Sequence, residues 1–278
     1  MQLTTNHRRK ITLIYCIIFY ILMLYKWWNG LFLYQLKPFM FNNRFDLFTW
    51  VLMKTGLHQW LLNNPTGWLV FDVSFYAMPL LMYVAFQRSI RMGAIVSVIM
   101  LFVNWLYIQC YTLYPTNSIE GHIAWLLFPV LFMTVNQRSF YCILHALRYF
   151  FLFFFASAGL WKIVQGGLFN IDQMSGVLLL QHKEYLTSSN NWHTTFIYWL
   201  INHHTISYLL YLAGLLVELV FIAGFFTKKY DRYLVAAFIA FLVMDLLIMR
   251  ISYLEVSAFL LPLLYSHYRT PGALHSER

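Results

Sequence analysis

Apolar residues fill this chain in long blocks, separated by short polar or basic breaks. The blocks cover 11–27, 68–87, 92–113, 122–136, 140–161, 206–226, 233–250 and 252–266. A helix needs about 20 apolar residues to cross the hydrocarbon core of a bilayer. The pattern therefore predicts an all-α, polytopic integral membrane helical bundle with about 8 transmembrane helices. The fourth and eighth blocks are short and carry Pro129 and Pro262. Tilted or re-entrant segments there would lower the number of true spans to roughly 6 or 7.

Two polar stretches interrupt the blocks. Residues 28–67 contain Phe45-Asp46-Leu47-Phe48-Thr49-Trp50-Val51-Leu52-Met53-Lys54, an amphipathic segment suited to lying on a membrane surface. Residues 163–205 contain Gly166-Gly167 and a group of histidines, and read as a long loop capping one end of the bundle. Neither a repeat nor a low-complexity tract appears, so residues 1–278 read as one transmembrane domain.

Composition agrees with the pattern. Of 278 residues, 61% are hydrophobic and only 10% charged, against about one quarter charged in an ordinary soluble domain. Such a chain cannot cover itself with polar surface in water, so its first partner is the lipid bilayer. The net charge of +9 does not point to nucleic acid, because the basic residues form no single patch. They fall instead in short groups between apolar blocks, as topology determinants do. Arg8, Arg9, Lys10, Arg88, Arg91, Arg138, Lys228, Lys229, Arg232, Arg269 and Arg278 lie on one side. The other side carries Lys26, Lys37, Arg44, Lys54, Lys162, Lys183 and Arg250. The bias places both termini in the cytoplasm and fits a multi-pass protein of the cell inner membrane. The first block follows His7-Arg8-Arg9-Lys10 but precedes Lys26-Trp27-Trp28 rather than a small-residue cleavage site, so it reads as a retained span. Cys16, Cys110 and Cys142 form no Cys-x-x-Cys pair.

Charges inside or beside apolar helices are expensive, and each is a candidate for function. Arg148 and Glu218 each lie eight residues in from the cytoplasmic end of their blocks, about 12 Å deep at 1.5 Å per residue. At that depth they are expected to form a structural ion pair. Asp72, Glu120, Asp245, Arg250 and Glu255 are expected to gather in an outer-face polar layer with His122 and Lys162. Lys162 ends an aromatic helix that begins at Tyr149. It is either an anchor snorkelling beside Trp161 or a desolvated amine able to act as a base. His122 is its natural hydrogen-bond partner. His182, His193, His203 and His204 match no specific zinc spacing, and no metal site is expected. P-loop, Gly-x-Ser-x-Gly, His-Glu-x-x-His and Gly-x-Gly-x-x-Gly patterns do not occur.

Three segments together resemble the HTTM domain, the membrane core shared by vitamin K-dependent gamma-carboxylases and many bacterial proteins. The first runs from Tyr149 through Ala158-Gly159-Leu160-Trp161-Lys162-Ile163 to Gly166-Gly167 and Ser175-Gly176. The second is Thr116-Asn117-Ser118-Ile119-Glu120-Gly121-His122. The third is Leu210 to Glu218, with Gly214, Gly224 and Lys228-Lys229, and it is similar to DoxX-like proteins as well. The resemblance covers residues 68–266. It implies that Lys162 is a base acting on a quinol-like lipophilic substrate, held by His122, with a quinone or hydroquinone as cofactor and a lyase or oxidoreductase activity. The DoxX-like side implies an alternative: a non-catalytic membrane partner of a redox or secretion complex, with a membrane or periplasmic protein bound. Val243-Met244-Asp245-Leu246 stands where the family often has a histidine. No counterpart of the carboxylases' large lumenal domain is seen within these residues, so carboxylation of a propeptide-tagged substrate is not expected.

Overall fold

The apolar blocks become helices, the form in which a segment satisfies all its backbone polar groups by itself, as an apolar surround would require. A computed structural model describes residues 5–36, 47–111, 119–188, 191–249 and 253–265. Among these residues every regular element is helical. Six helices are long and apolar enough to cross a membrane: Asn6–Trp28, Thr66–Arg88, Ile90–Tyr111, Gln137–Val164, His204–Phe226 and Asp231–Met249. His122–Phe132 and Leu254–Leu264, the two proline-bearing blocks, form shorter apolar helices.

The described residues pack as two units, one of 5–145 with Tyr253–Leu261 and the other of 146–249 with 262–265. The first unit contains α1 (Thr5–Trp28), α2 (Leu47–Thr55), α3 (Leu57–Leu62), α4 (Pro65–Arg88), α5 (Ile90–Tyr111), α6 (Ile119–Phe132) and the start of α7 (Gln137–Val164). Within the expected amphipathic segment 45–54, residues from Leu47 onward form α2, while Phe45 and Asp46 lie outside the described residues. A 3-10 turn at Leu254–Phe259 also belongs here.

One stripe of α1 faces inward. Arg8, Thr12, Tyr15, Phe19, Leu22 and Lys26 alternate by four and three residues and are all buried. Their rings join a core with Phe75, Tyr107 and Trp125, in which Phe75 and Tyr107 stack at 3.8 Å between centroids. Pro79 interrupts α4 and has no amide hydrogen to donate. One turn of the ladder opens beside it. There the Tyr20 hydroxyl accepts from the Leu80 amide at 3.2 Å and donates to the Tyr76 carbonyl at 2.7 Å. A tyrosine from α1 thereby replaces a helical hydrogen bond of α4.

The second unit holds the rest of α7, then α8 (Gln173–Ser188), α9 (Trp192–Asn202), α10 (His204–Val220), α11 (Ala223–Phe226), α12 (Asp231–Met244) and the end of α13 (Leu260–Leu264). Gly166 stops α7 at φ 79°, a left-handed conformation that glycine adopts without strain. The segment expected as a capping loop is mostly the helices α8 and α9. α12 continues into a π-helical turn at Asp245–Met249. Phe151 and Phe155 of α7 pack against Phe221 and Phe238 as the aromatic centre of this unit.

Candidate functional site

Gly159 lets α7 and α10 approach closely. A Cβ there would stand 3.1 Å from the Glu218 Cβ and from Leu219. One turn later, Lys162 therefore reaches α10. Its Nζ donates to Glu218 Oε1 at 2.7 Å. The glycine of the Ala158-Gly159 segment thus has a direct structural consequence: it sets the reach of the lysine.

Lys162 forms part of the wall of a cavity of about 500 Å³ between α7, α8, α10 and α12, with Glu218 behind it. Trp161, Met174, Val177, Phe241, Met244 and Ile248 give it an apolar lining, while Lys162, Asp245, Gln165, Gln173 and Tyr211 supply polar groups. Lys162 keeps 37% of its side chain exposed, but Glu218 keeps only 4%. The lysine faces the open space and the carboxylate faces the packed side. Asp245 lies close enough to both to feel their charges. It begins the π-helical turn, a feature frequent at functional sites. Small residues widen the space: a Cβ on Gly214 would meet nothing within 4 Å. Gly167 does the opposite, since a Cβ there would fall 2.1 Å from the Tyr211 hydroxyl. Its missing side chain lets that hydroxyl take its place in the lining.

The π-helical turn is braced from α8 and α9. His182 Nε2 donates to the Ile248 carbonyl at 2.7 Å and His193 Nε2 to the Leu247 carbonyl at 2.9 Å. His203 donates to Trp199 and His204 pairs with Asp172. These four histidines bond to backbone or to a surface carboxylate, and they share no centre among the described residues.

Arg148 and Glu218 do not pair with each other. Arg148 instead grips Asp231, with Nε to Oδ2 at 2.8 Å and Nη2 to Oδ1 at 2.6 Å, and Nη2 also donates to the Gly224 carbonyl. Equal depth in two helices does not fix which way each side chain points. Asp231 opens α12 in the turn just beneath Arg148, and the fork of the guanidinium matches its two oxygens.

The expected outer layer resolves into separate groups. In the first unit, Asp72 accepts from the Leu33 and Tyr34 amides and from the Tyr107 hydroxyl at 2.7 Å. Glu255 pairs with Lys26 at 2.5 Å, and His122 Nε2 lies 3.8 Å from the same oxygen. The Lys26 amine also sits over the rings of Tyr111 and Trp125, at 4.7 and 5.2 Å. The hydrogen-bond partner expected for Lys162 was His122, but each has a carboxylate within its own unit. Asp245 belongs to the second unit with Lys162. Glu120 opens α6, and its side chain lies outside the described residues, as do Arg250 and the segment Thr116–Ser118. Lys26, Asp231 and Tyr211 were not expected as site residues. Lys26 carried a readable signal, because it continues the buried stripe of α1. No protein-family model, curated protein or solved structure matches this chain.

Proposed function

We propose that this chain is a multi-pass protein of the inner membrane whose second unit binds a flat, quinol-like lipophilic molecule beside Lys162. The observation that carries this reading is the 2.7 Å bond from Lys162, on the wall of an apolar cavity, to the buried Glu218. In a water-poor site a lysine–glutamate pair can rest in two forms. One is ammonium with carboxylate. In the other the proton has passed from Nζ to Oε1, leaving a free amine and a neutral acid. The free amine takes the proton of a quinol hydroxyl, and the quinolate then lies against the newly formed ammonium. Glu218 thus does what the HTTM resemblance assigns to His122: it holds the amine and tunes its proton. The family placement remains part of this proposal, resting on the Ala158-Gly159-Leu160-Trp161-Lys162 segment and the Gly214 to Glu218 segment. Its catalytic reading is preferred to the membrane-partner alternative because the lysine faces open space rather than packed helix.

The test is binding of a short-chain naphthoquinol to full-length protein in mild detergent, read by quenching of tryptophan fluorescence. Saturable binding is expected, weakened at least tenfold by Lys162→Met. Equal affinity in the two proteins would overturn the proposal. So would an absence of quinol binding together with a stoichiometric co-purifying protein, which would support the partner reading.

A further inference from the structure

The turn between α10 and α12 carries an excess of positive charge. Residues 221–233 read Phe-Ile-Ala-Gly-Phe-Phe-Thr-Lys-Lys-Tyr-Asp-Arg-Tyr, with Asp231 the single acidic residue. That carboxylate is committed to the buried Arg148, through both of its oxygens. Lys228, Lys229 and Arg232 thus give this segment three basic residues against one acidic residue. Burial first, and then the charge of Arg148, hold Lys228 below the ordinary lysine value against the pull of Asp231. The Nη1 group of Arg148 adds to the shortage of acceptors, since it is buried with no hydrogen-bond partner. α12 also opens without a side-chain cap, so the positive end of its dipole faces the same turn.

Around this basic centre stand exposed aromatic rings. Phe226 is 85% exposed and Tyr233 72%, with Phe225 and Tyr230 beside them. The turn joins two helices that each have the length and apolarity to cross a bilayer. Aromatic rings ringing a basic turn at the end of such a hairpin suit the headgroup layer, where rings insert and cations meet phosphate.

We propose that the Lys228–Arg232 turn is a binding site for the phosphate of an anionic phospholipid, with Phe226 and Tyr233 against its glycerol and upper acyl chains. The proposal rests on the multi-pass reading and is independent of the quinol. Phosphate oxygens accept what the turn has in surplus, cationic N–H donors, and lipid chains cover what the rings leave open.

The experiment is thermal unfolding of full-length protein in nanodiscs of phosphatidylcholine, with increasing phosphatidylglycerol or with added inorganic phosphate. The variants are Lys229→Gln and Lys229→Gln/Arg232→Gln, which leave the Arg148–Asp231 clamp in place. Phosphatidylglycerol is expected to raise the midpoint of the wild type, with apparent affinity falling about fivefold for each charge removed. Inorganic phosphate is expected to change nothing. Equal stabilisation of wild type and double variant would overturn the site. Stabilisation by inorganic phosphate alone would show a soluble-anion site and overturn the lipid assignment. Failure of the protein to enter nanodiscs would instead refute the multi-pass reading.

Discussion

Each unit contains a lysine bonded to a buried glutamate, and the two pairs are built for different ends. Lys26 and Glu255 meet at 2.5 Å with 8% and 3% of their side chains exposed. Tyr111, His122 and Trp125 close over them. Lys162 and Glu218 meet at 2.7 Å with the lysine 37% exposed to a cavity. The same two functional groups give a sealed strut in one place and an accessible amine in the other. What differs is the space around them: rings close directly over the first pair, whereas Gly214 and neighbouring small residues leave a cavity open beside the second. Charge alone is therefore a poor marker of a site, and the space beside it is a better one.

The largest expected effect tests the sealed pair. Lys26→Met leaves Glu255 buried without its cation and should lower stability by about 3–5 kcal/mol, measured by unfolding in detergent. Adding Glu255→Leu should recover most of the loss, because an apolar pair of similar volume needs no desolvation. An additive second loss would mean that the pair is not the strut described. Next is close packing in the first unit. A Cβ on Gly93 would sit 2.3 Å from the Phe86 ring, whose face carries the Arg8 guanidinium. Gly93→Ala should cost about 1–3 kcal/mol by overpacking. The smallest effect belongs to the second unit. Gly214→Leu enters open space in mid-helix and should change stability by under about 1 kcal/mol, while filling the cavity and abolishing quinol binding. Destabilisation equal to that of Gly93→Ala would erase the contrast between the units.

Much of the fold was legible because long apolar blocks have one simple solution, a helix of matching length. The eight apolar blocks correspond to six long helices and two short ones, and Pro129 and Pro262 marked the short pair. The stretch 163–205 misled for the same reason: of the two helices within it, α8 is too polar and α9, at 11 residues, too short to register as a span. Partners were harder to read. Depth along a helix can be counted from the sequence, but the direction of a side chain around the helix depends on its neighbours. Arg148 therefore found Asp231 rather than Glu218. Lys26, beside Trp27 and Trp28, has the look of an interfacial anchor. The repeat of Arg8, Thr12, Tyr15, Phe19, Leu22 and Lys26 carried the contrary signal, since a charge on a buried stripe calls for a partner inside. Lys162 stood out in the sequence as either an anchor or a desolvated base, yet nothing in its own segment could name Glu218 as its partner.

The Lys26–Glu255 strut also has a consequence for synthesis. Lys26 leaves the ribosome well before Glu255, which lies 229 residues further along the chain. Until then the nascent bundle must shelter an ammonium group that has not met its counter-ion. A chain halted before Glu255 would keep that group uncompensated, so the charge itself separates a chain that has closed this unit from one that has not.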